Sequence, residues 1–305
     1  PAGCPAHRPA AGTGLMQGRV VAAHGRQYLV ELPDGSRLPC FPRGKKSEVA
    51  CGDYVDIKQT SADHGVIEAI QPRSSLLYRS NEIRQKLIAA NVDQLIIVVA
   101  TEPAFSDELI ARALVAAESE EIEPLIVLNK CDLTDNLGAA RQRLAVLVGL
   151  GYRVLELSAL EHAEDLRPHL ANRTSVLVGQ SGMGKSTLVN ALLPDAKAAT
   201  REISLALDSG KHTTTHATLY HLDADSHLID SPGLQEFGLG HLDRQDIENA
   251  FPEFRPFHGQ CRFRDCLHNR EPDCALIAAV DAKKIDKSRF LTYHRIVGTQ
   301  RASQG

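Results

Sequence analysis

The chain has 305 residues, 43% hydrophobic and 24% charged, with a formal net charge of −4 at pH 7. That length suits two or three domains, each with a core of its own, and the balance of apolar and charged residues excludes disordered, collagen-like and membrane-embedded classes. Seven cysteines, an odd number with Cys4, Cys40, Cys51 and Cys131 scattered, argue against a secreted disulfide framework.

The charge is unevenly spread. Residues 1–80 carry ten Lys and Arg against seven Asp and Glu, residues 81–260 fifteen against twenty-six, and residues 261–305 nine against five. Basic flanks around an acidic middle suit a protein that grips nucleic acid at its ends, and equally suit solvated surface. Pro1 to Gly14 is small and proline-rich, and reads as a disordered tail rather than a signal peptide. The longest apolar run, Leu95 to Ala100, has the length of a buried strand and not of a membrane span, so the expected location is the cytoplasm.

Five short strands are predicted next, at Gly18–Ala23, Gln27–Leu32, Arg37–Cys40, Tyr54–Lys58 and Gly65–Ile70, separated by turn signals such as Pro33-Asp34-Gly35. They suit a small closed barrel, an OB-fold or an SH3-like barrel. Its loop Pro42-Arg43-Gly44-Lys45-Lys46 is a candidate phosphate contact. From Asn91 apolar strands alternate with helical spacing. Strands are predicted at Gln94–Ala100, Leu125–Leu128, Val154–Leu157, Ser175–Val178 and His227–Ile229, and helices at Ser106–Glu120 and Gly138–Leu150. Such alternation predicts a mostly parallel sheet with ligands at the carboxyl ends of its strands. Past Gly240 the pattern is less regular, and a helical run is predicted over Ala275–Ile296.

Most of the motifs fall at those carboxyl ends. Asn129-Lys130-Cys131-Asp132 follows the second strand of the sheet. The Asp132 carboxylate can accept hydrogen bonds from N1 and N2 of guanine, a donor pair adenine lacks, and an adenine would leave it unpaired. Asn129 would hold the loop, and the Lys130 stem would pack on the base. Ser158 and Ala159 end the next strand, where a backbone N–H could meet the guanine oxygen.

Gly179-Gln180-Ser181-Gly182-Met183-Gly184-Lys185-Ser186, followed by Thr187, is a phosphate loop between a strand and a helix. Its glycines let backbone N–H groups close on phosphate, Lys185 would bridge the outer phosphates, and Ser186 would ligate magnesium. Gly210-Lys211-His212-Thr213-Thr214-Thr215 lies where a first switch belongs, with Thr214 the preferred magnesium and γ-phosphate contact. In Asp230-Ser231-Pro232-Gly233, Asp230 would reach magnesium through water and the Gly233 N–H would touch the γ-phosphate. Ras-like enzymes orient the attacking water with a glutamine after that glycine, whereas here Leu234 stands there. His212 is one candidate for that duty, so hydrolysis is expected to be slow without a partner. Finally Cys261, Cys266, His268 and Cys274 offer three thiolates and an imidazole in one tight segment, a closed structural zinc site.

The base-reading motif precedes the phosphate loop, the reverse of the usual order, which predicts a circularly permuted GTPase domain. With Gly210 to Thr215, Phe251-Pro252-Glu253-Phe254-Arg255-Pro256 and the cysteine cluster, the chain resembles the bacterial RsgA (YjeQ) family of ribosome small-subunit-dependent GTPases, over about Leu15 to Ile296. The resemblance implies an N-terminal all-β OB-fold barrel (15–75), a central α/β circularly permuted P-loop GTPase (76–240) and a C-terminal zinc-binding helical domain (241–305). It also implies a late-acting assembly factor that binds rRNA of the small ribosomal subunit near its decoding region, hydrolyses GTP when the subunit stimulates it, and works as a monomer away from membranes. Carried over, Asn129, Lys130 and Asp132 read guanine, Gly179 to Thr187 hold phosphate, His212 to Thr215 and then Asp230 and Gly233 form the switches, and zinc sits on the four ligands. Pro1 to Gly14 and Lys211 depart from the family pattern. The competing reading is a nucleotide-gated RNA-binding module in which hydrolysis is not required.

Overall fold

The computed structural model describes residues 14–44, 48–81, 84–194, 217–231 and 239–303. Pro1 to Thr13 of the expected tail, the basic loop tip Lys45-Lys46, the first switch (Gly210 to Thr215), and Gly233 with Leu234 lie outside them.

The five predicted strands form a barrel: β1 (Met16–His24), β2 (Gln27–Glu31), β3 (Arg37–Pro42), β4 (Tyr54–Gln59) and β5 (Gly65–Ile70). They pair in the order β1-β2-β3-β5-β4, and β1 closes the ring on β4. This is the OB arrangement, with β3 and β5 parallel and the other neighbours antiparallel. Inward residues such as Val20, Val30, Val55 and Ile57 make a small core separate from the main one.

No element was expected between Ile70 and Asn91, yet the chain forms a two-stranded sheet there, β6 (Leu76–Asn81) and β7 (Arg84–Ala90). The sequence from Arg79 to Lys86 is polar and charged apart from Ile83 and offers neither alternation nor a two-residue turn signature. What seats the near end is burial of Leu77 and Ile88 on the main core.

The main sheet runs β10-β9-β8-β11-β13-β12. It comprises β8 (Gln94–Ala100), β9 (Glu123–Asn129), β10 (Arg153–Glu156), β11 (Thr174–Val178), β12 (Thr218–His221) and β13 (His227–Asp230). All pairs are parallel except β12 with β13. Every residue of β8 and β11 is buried, as expected of strands covered on both faces. Helix α1 (Asp107–Ser119) starts at Ser106, whose hydroxyl accepts from the Leu109 N–H. Helices α2 (Leu137–Gly149), α3 (Arg167–Leu170) and α4 (Lys185–Leu192) complete this part.

β12 joins the two sheets. It pairs antiparallel with β1 at Ala22 and Thr218, and the Ala23 N–H donates to the Ala217 carbonyl, so barrel and parallel sheet form one eleven-stranded surface. Side chains reinforce the joint. Arg19 donates to Thr174 Oγ1 at 2.9 Å, and His221 Nε2 meets Glu31 at 2.7 Å.

Beyond the sheet, α5 (Arg244–Asn249) opens with a capping box between Asp243 and Asp246. The expected single helix over Ala275–Ile296 is two, α6 (Ala275–Asp281) and α7 (Lys287–Ser303). Lys283 takes a left-handed φ of 57°, and the Asp286 side chain accepts from the N–H groups of Ser288 and Arg289, a local bond that starts a new helix. Phe251, Phe254 and Tyr293 pack as an aromatic cluster between these elements, and Arg289 both covers Phe251 and pairs with the buried Glu253.

Candidate nucleotide site and metal centre

The carboxyl ends of β9, β10, β11 and β13 bring the separate motifs together. At the end of β9 the Asn129 side chain is 1% exposed and bonded at both polar atoms. Its Nδ2 donates to the Met183 carbonyl of the phosphate loop at 2.8 Å, and its Oδ1 accepts from the Ala159 N–H at 2.8 Å. One side chain therefore fixes three loops. Gly184 explains why the phosphate loop tolerates this contact. Its φ is 93°, and a Cβ there would lie 2.2 Å from Asn129 Nδ2. Gly179 is held likewise, since its Cβ would lie 2.3 Å from the Val98 carbonyl oxygen.

Lys130 has a φ of 61° and sends Nζ to the Glu102 carbonyl at 2.7 Å. Asp132 is exposed, open to a ligand. The Ser158 hydroxyl is buried without a hydrogen-bond partner. Because Asn129 takes the Ala159 N–H, a guanine oxygen at this corner must share that donor or use the next, on Leu160, whose side chain is 80% exposed.

Lys185 Nζ donates to the carbonyls of Gly179 and Gln180, at 2.5 and 2.7 Å, curling back over its own loop. Burial lowers its pKa, and the charge of Asp230 opposes that shift. Burial likewise raises the Asp230 carboxyl, against the pull of Lys185. A polyphosphate beside Lys185 and a divalent cation beside Asp230 would reverse both shifts. Ser186 and Thr187, in the first turn of α4, are exposed toward solvent, as are Ser181 and Gly182. Ser186 and Asp230 are thus oxygen donors of the kind magnesium takes. Sequence reasoning missed the loop Thr101 to Ser106, which accepts from Lys130 through Glu102 and donates to the Gln180 side chain through the Ser106 N–H at 2.9 Å. Nothing local marks it, because its partners come from distant segments.

The metal candidates also converge. The ligand atoms of Cys261, Cys266, His268 and Cys274 all lie within 4.8 Å of one another. The Cys261 and Cys274 sulfurs are 3.9 Å apart, and His268 Nδ1 lies 3.6 and 3.3 Å from them. Sulfur at about 2.3 Å and nitrogen at about 2.0 Å from a tetrahedral ion would stand roughly 3.5 to 3.8 Å apart, so the residues fit a zinc-like cation. Burial pushes the Cys266 thiol up to about 12 and raises Cys274 too, a cost that a bound cation removes. Three sulfurs and one nitrogen fill a tetrahedron and leave no open position for catalysis.

The RsgA GTPase family profile matches residues 70–240. A protein of Burkholderia pseudomallei (strain K96243) named small ribosomal subunit biogenesis GTPase RsgA is 56% identical over 298 residues, 96% of this chain and 95% of that one. Its namesake in Bordetella pertussis (strain Tohama I) is 56% identical over 94% of this chain and 97% of its own length. Among solved structures, YjeQ from Thermotoga maritima superposes with a TM-score of 0.72 at 31% identity, covering 94% of this chain and 98% of that one. YloQ, described as a circularly permuted GTPase, gives 0.69 at 26% identity over 97% and 98%. The permuted sheet, the closed barrel and the cysteine cluster agree with these matches, and the chain belongs to the RsgA GTPase family.

Proposed function

We propose that this chain hydrolyses GTP to GDP and phosphate while acting in biogenesis of the small ribosomal subunit. The observation that carries this reading is the Asn129 side chain, which ties the guanine-reading loop to both the phosphate loop and the Ser158-Ala159 corner. In this reading Asp132 selects guanine, Lys130 supports the base, and Gly179 to Thr187 wrap the phosphates. Ser186, Thr214 and Asp230 serve magnesium, and Gly233 senses the γ-phosphate. His212 orients water, and zinc occupies Cys261, Cys266, His268 and Cys274. The barrel (15–75) and the C-terminal region (241–305) grip rRNA near the decoding region around the GTPase (76–240). The protein works in the cytoplasm as a monomer; among the described residues no helix is long and apolar enough to cross a membrane.

GTP turnover with and without purified small subunits tests the proposal. Stimulation of tenfold or more is expected to follow from Leu234 standing where Ras-like enzymes place their water-orienting glutamine. Stimulation below about twofold, with GTP-dependent binding to the subunit retained, would favour the nucleotide-gated RNA-binding module instead.

A further inference from the structure

The four candidate ligands come from one short segment, but what aims the histidine comes from elsewhere. His268 turns Nδ1 toward the Cys261 and Cys274 sulfurs and points Nε2 at the Glu248 carboxylate, 3.1 Å away on α5. An imidazole that ligates through Nδ1 carries its proton on Nε2, so the carboxylate accepts that N–H, fixing both tautomer and ring orientation. Glu248 is itself held, since Tyr293 donates to the same oxygen at 3.4 Å and His258 lies 3.8 Å from the other. One turn earlier on the same face of α5, Arg244 donates to the Cys266 carbonyl at 2.6 Å. Two consecutive ligand residues of the cluster are therefore clamped to one helix.

We infer that Glu248 is a positioning residue for the metal, orienting His268 and making α5 part of the centre. This rests on the metal reading of the cysteine cluster. Glu248 touches no metal position itself. It acts through His268, as carboxylates behind metal-bound histidines do.

The test is metal affinity in the full chain, measured for Zn²⁺ by competition with a chromophoric chelator and for Co²⁺ by absorption. Glu248→Ala is expected to weaken binding about 10- to 100-fold, and the near-isosteric Glu248→Gln, which keeps an acceptor but loses the charge, less. The cobalt ligand-field bands should shift in Glu248→Ala, while the thiolate charge-transfer bands keep their intensity. Tyr293→Phe, which removes one long hydrogen bond to Glu248 but keeps the ring packing and the carboxylate, should weaken binding far less than Glu248→Ala, by no more than about threefold. If both Glu248 variants bind zinc within twofold of the parent and share its cobalt spectrum, the inference is overturned. A parent that takes up neither ion would instead refute the metal reading beneath it.

Discussion

The nucleotide cradle and the metal knuckle are both convergences of polar side chains, but they are assembled in opposite ways. The cradle draws Asn129, Ala159, Met183 and Asp230 from four segments at the ends of β9, β10, β11 and β13, and ties three of them together through the Asn129 side chain, so much of its geometry stands without a ligand. The knuckle draws its ligands from residues 261–274, where the larger apolar side chains Phe263 and Leu267 face solvent. Its shape rests on local bonds such as those the Glu271 carboxylate accepts from the Leu267, Asn269 and Arg270 N–H groups, and on the clamp from α5, and a bound cation would add to them. The cradle is set by strand ends held in one sheet, whereas the knuckle is a local loop that leans on a neighbouring helix.

The largest expected effect tests that contrast. Stripping metal with a chelator, or Cys266→Ser, should abolish hydrogen-exchange protection around residues 258–274 while GDP binding changes less than threefold. Equal loss at both sites would mean that the two regions form one cooperative unit.

Next, Asn129→Ala leaves the Ala159 N–H and the Met183 carbonyl unpaired in a buried place, costing roughly 1 to 3 kcal/mol for each group left unsatisfied. Both melting temperature and guanine-nucleotide affinity should fall, by at least tenfold for the latter in a fluorescent GDP titration. Asp132→Asn is the complement. Its side chain is exposed, so stability should move by less than about 0.5 kcal/mol, yet the preference for GTP over ATP should drop about a hundredfold. A fall in stability like that of Asn129→Ala would blur the division between building the cradle and reading the base.

The smallest effect is electrostatic. The cradle is built in shape but not in charge, because burial raises the Asp230 carboxyl and lowers the Lys185 amine. A raised carboxyl becomes neutral at a higher pH than an ordinary one, so magnesium-dependent nucleotide affinity should weaken as pH falls, starting above the usual carboxylate range. Titration from pH 7 to pH 4.5 should show a decline of a few-fold, flattened in Asp230→Asn.

What the sequence made legible follows the same division. Apolar alternation and runs such as Leu95 to Ala100 set out the barrel strands and most of the parallel sheet, because burial on one or both faces writes itself into residue type. Of the motif loops within the described residues, those carrying Asn129, Ala159 and Met183 lie side by side. The strands β6, β7 and β12 left no such trace. Thr218 to His221 is a four-residue strand too short to show a period, and what fixes it is the hydrogen-bond ladder to β1 and β13. Glu248 and the Thr101 to Ser106 loop were equally hidden, since each acts on a partner far off in the chain. The break at Lys283 was hidden for another reason: helical propensity on both sides masked one local bond at Asp286.

The pairing of Ala22 with Thr218 also bears on how the molecule is made. During synthesis β1 leaves the ribosome long before β12 exists. The barrel can close on itself early, through β1 and β4, because its contacts are local. Its docking edge must then wait, unpaired, for a strand that completes the other sheet. Joining the two closes a very long loop, and the entropy of that closure is met late. Barrel first, sheet second and docking last is the order this topology favours, and an edge exposed in the interval is where a nascent chain would be most open to mispairing.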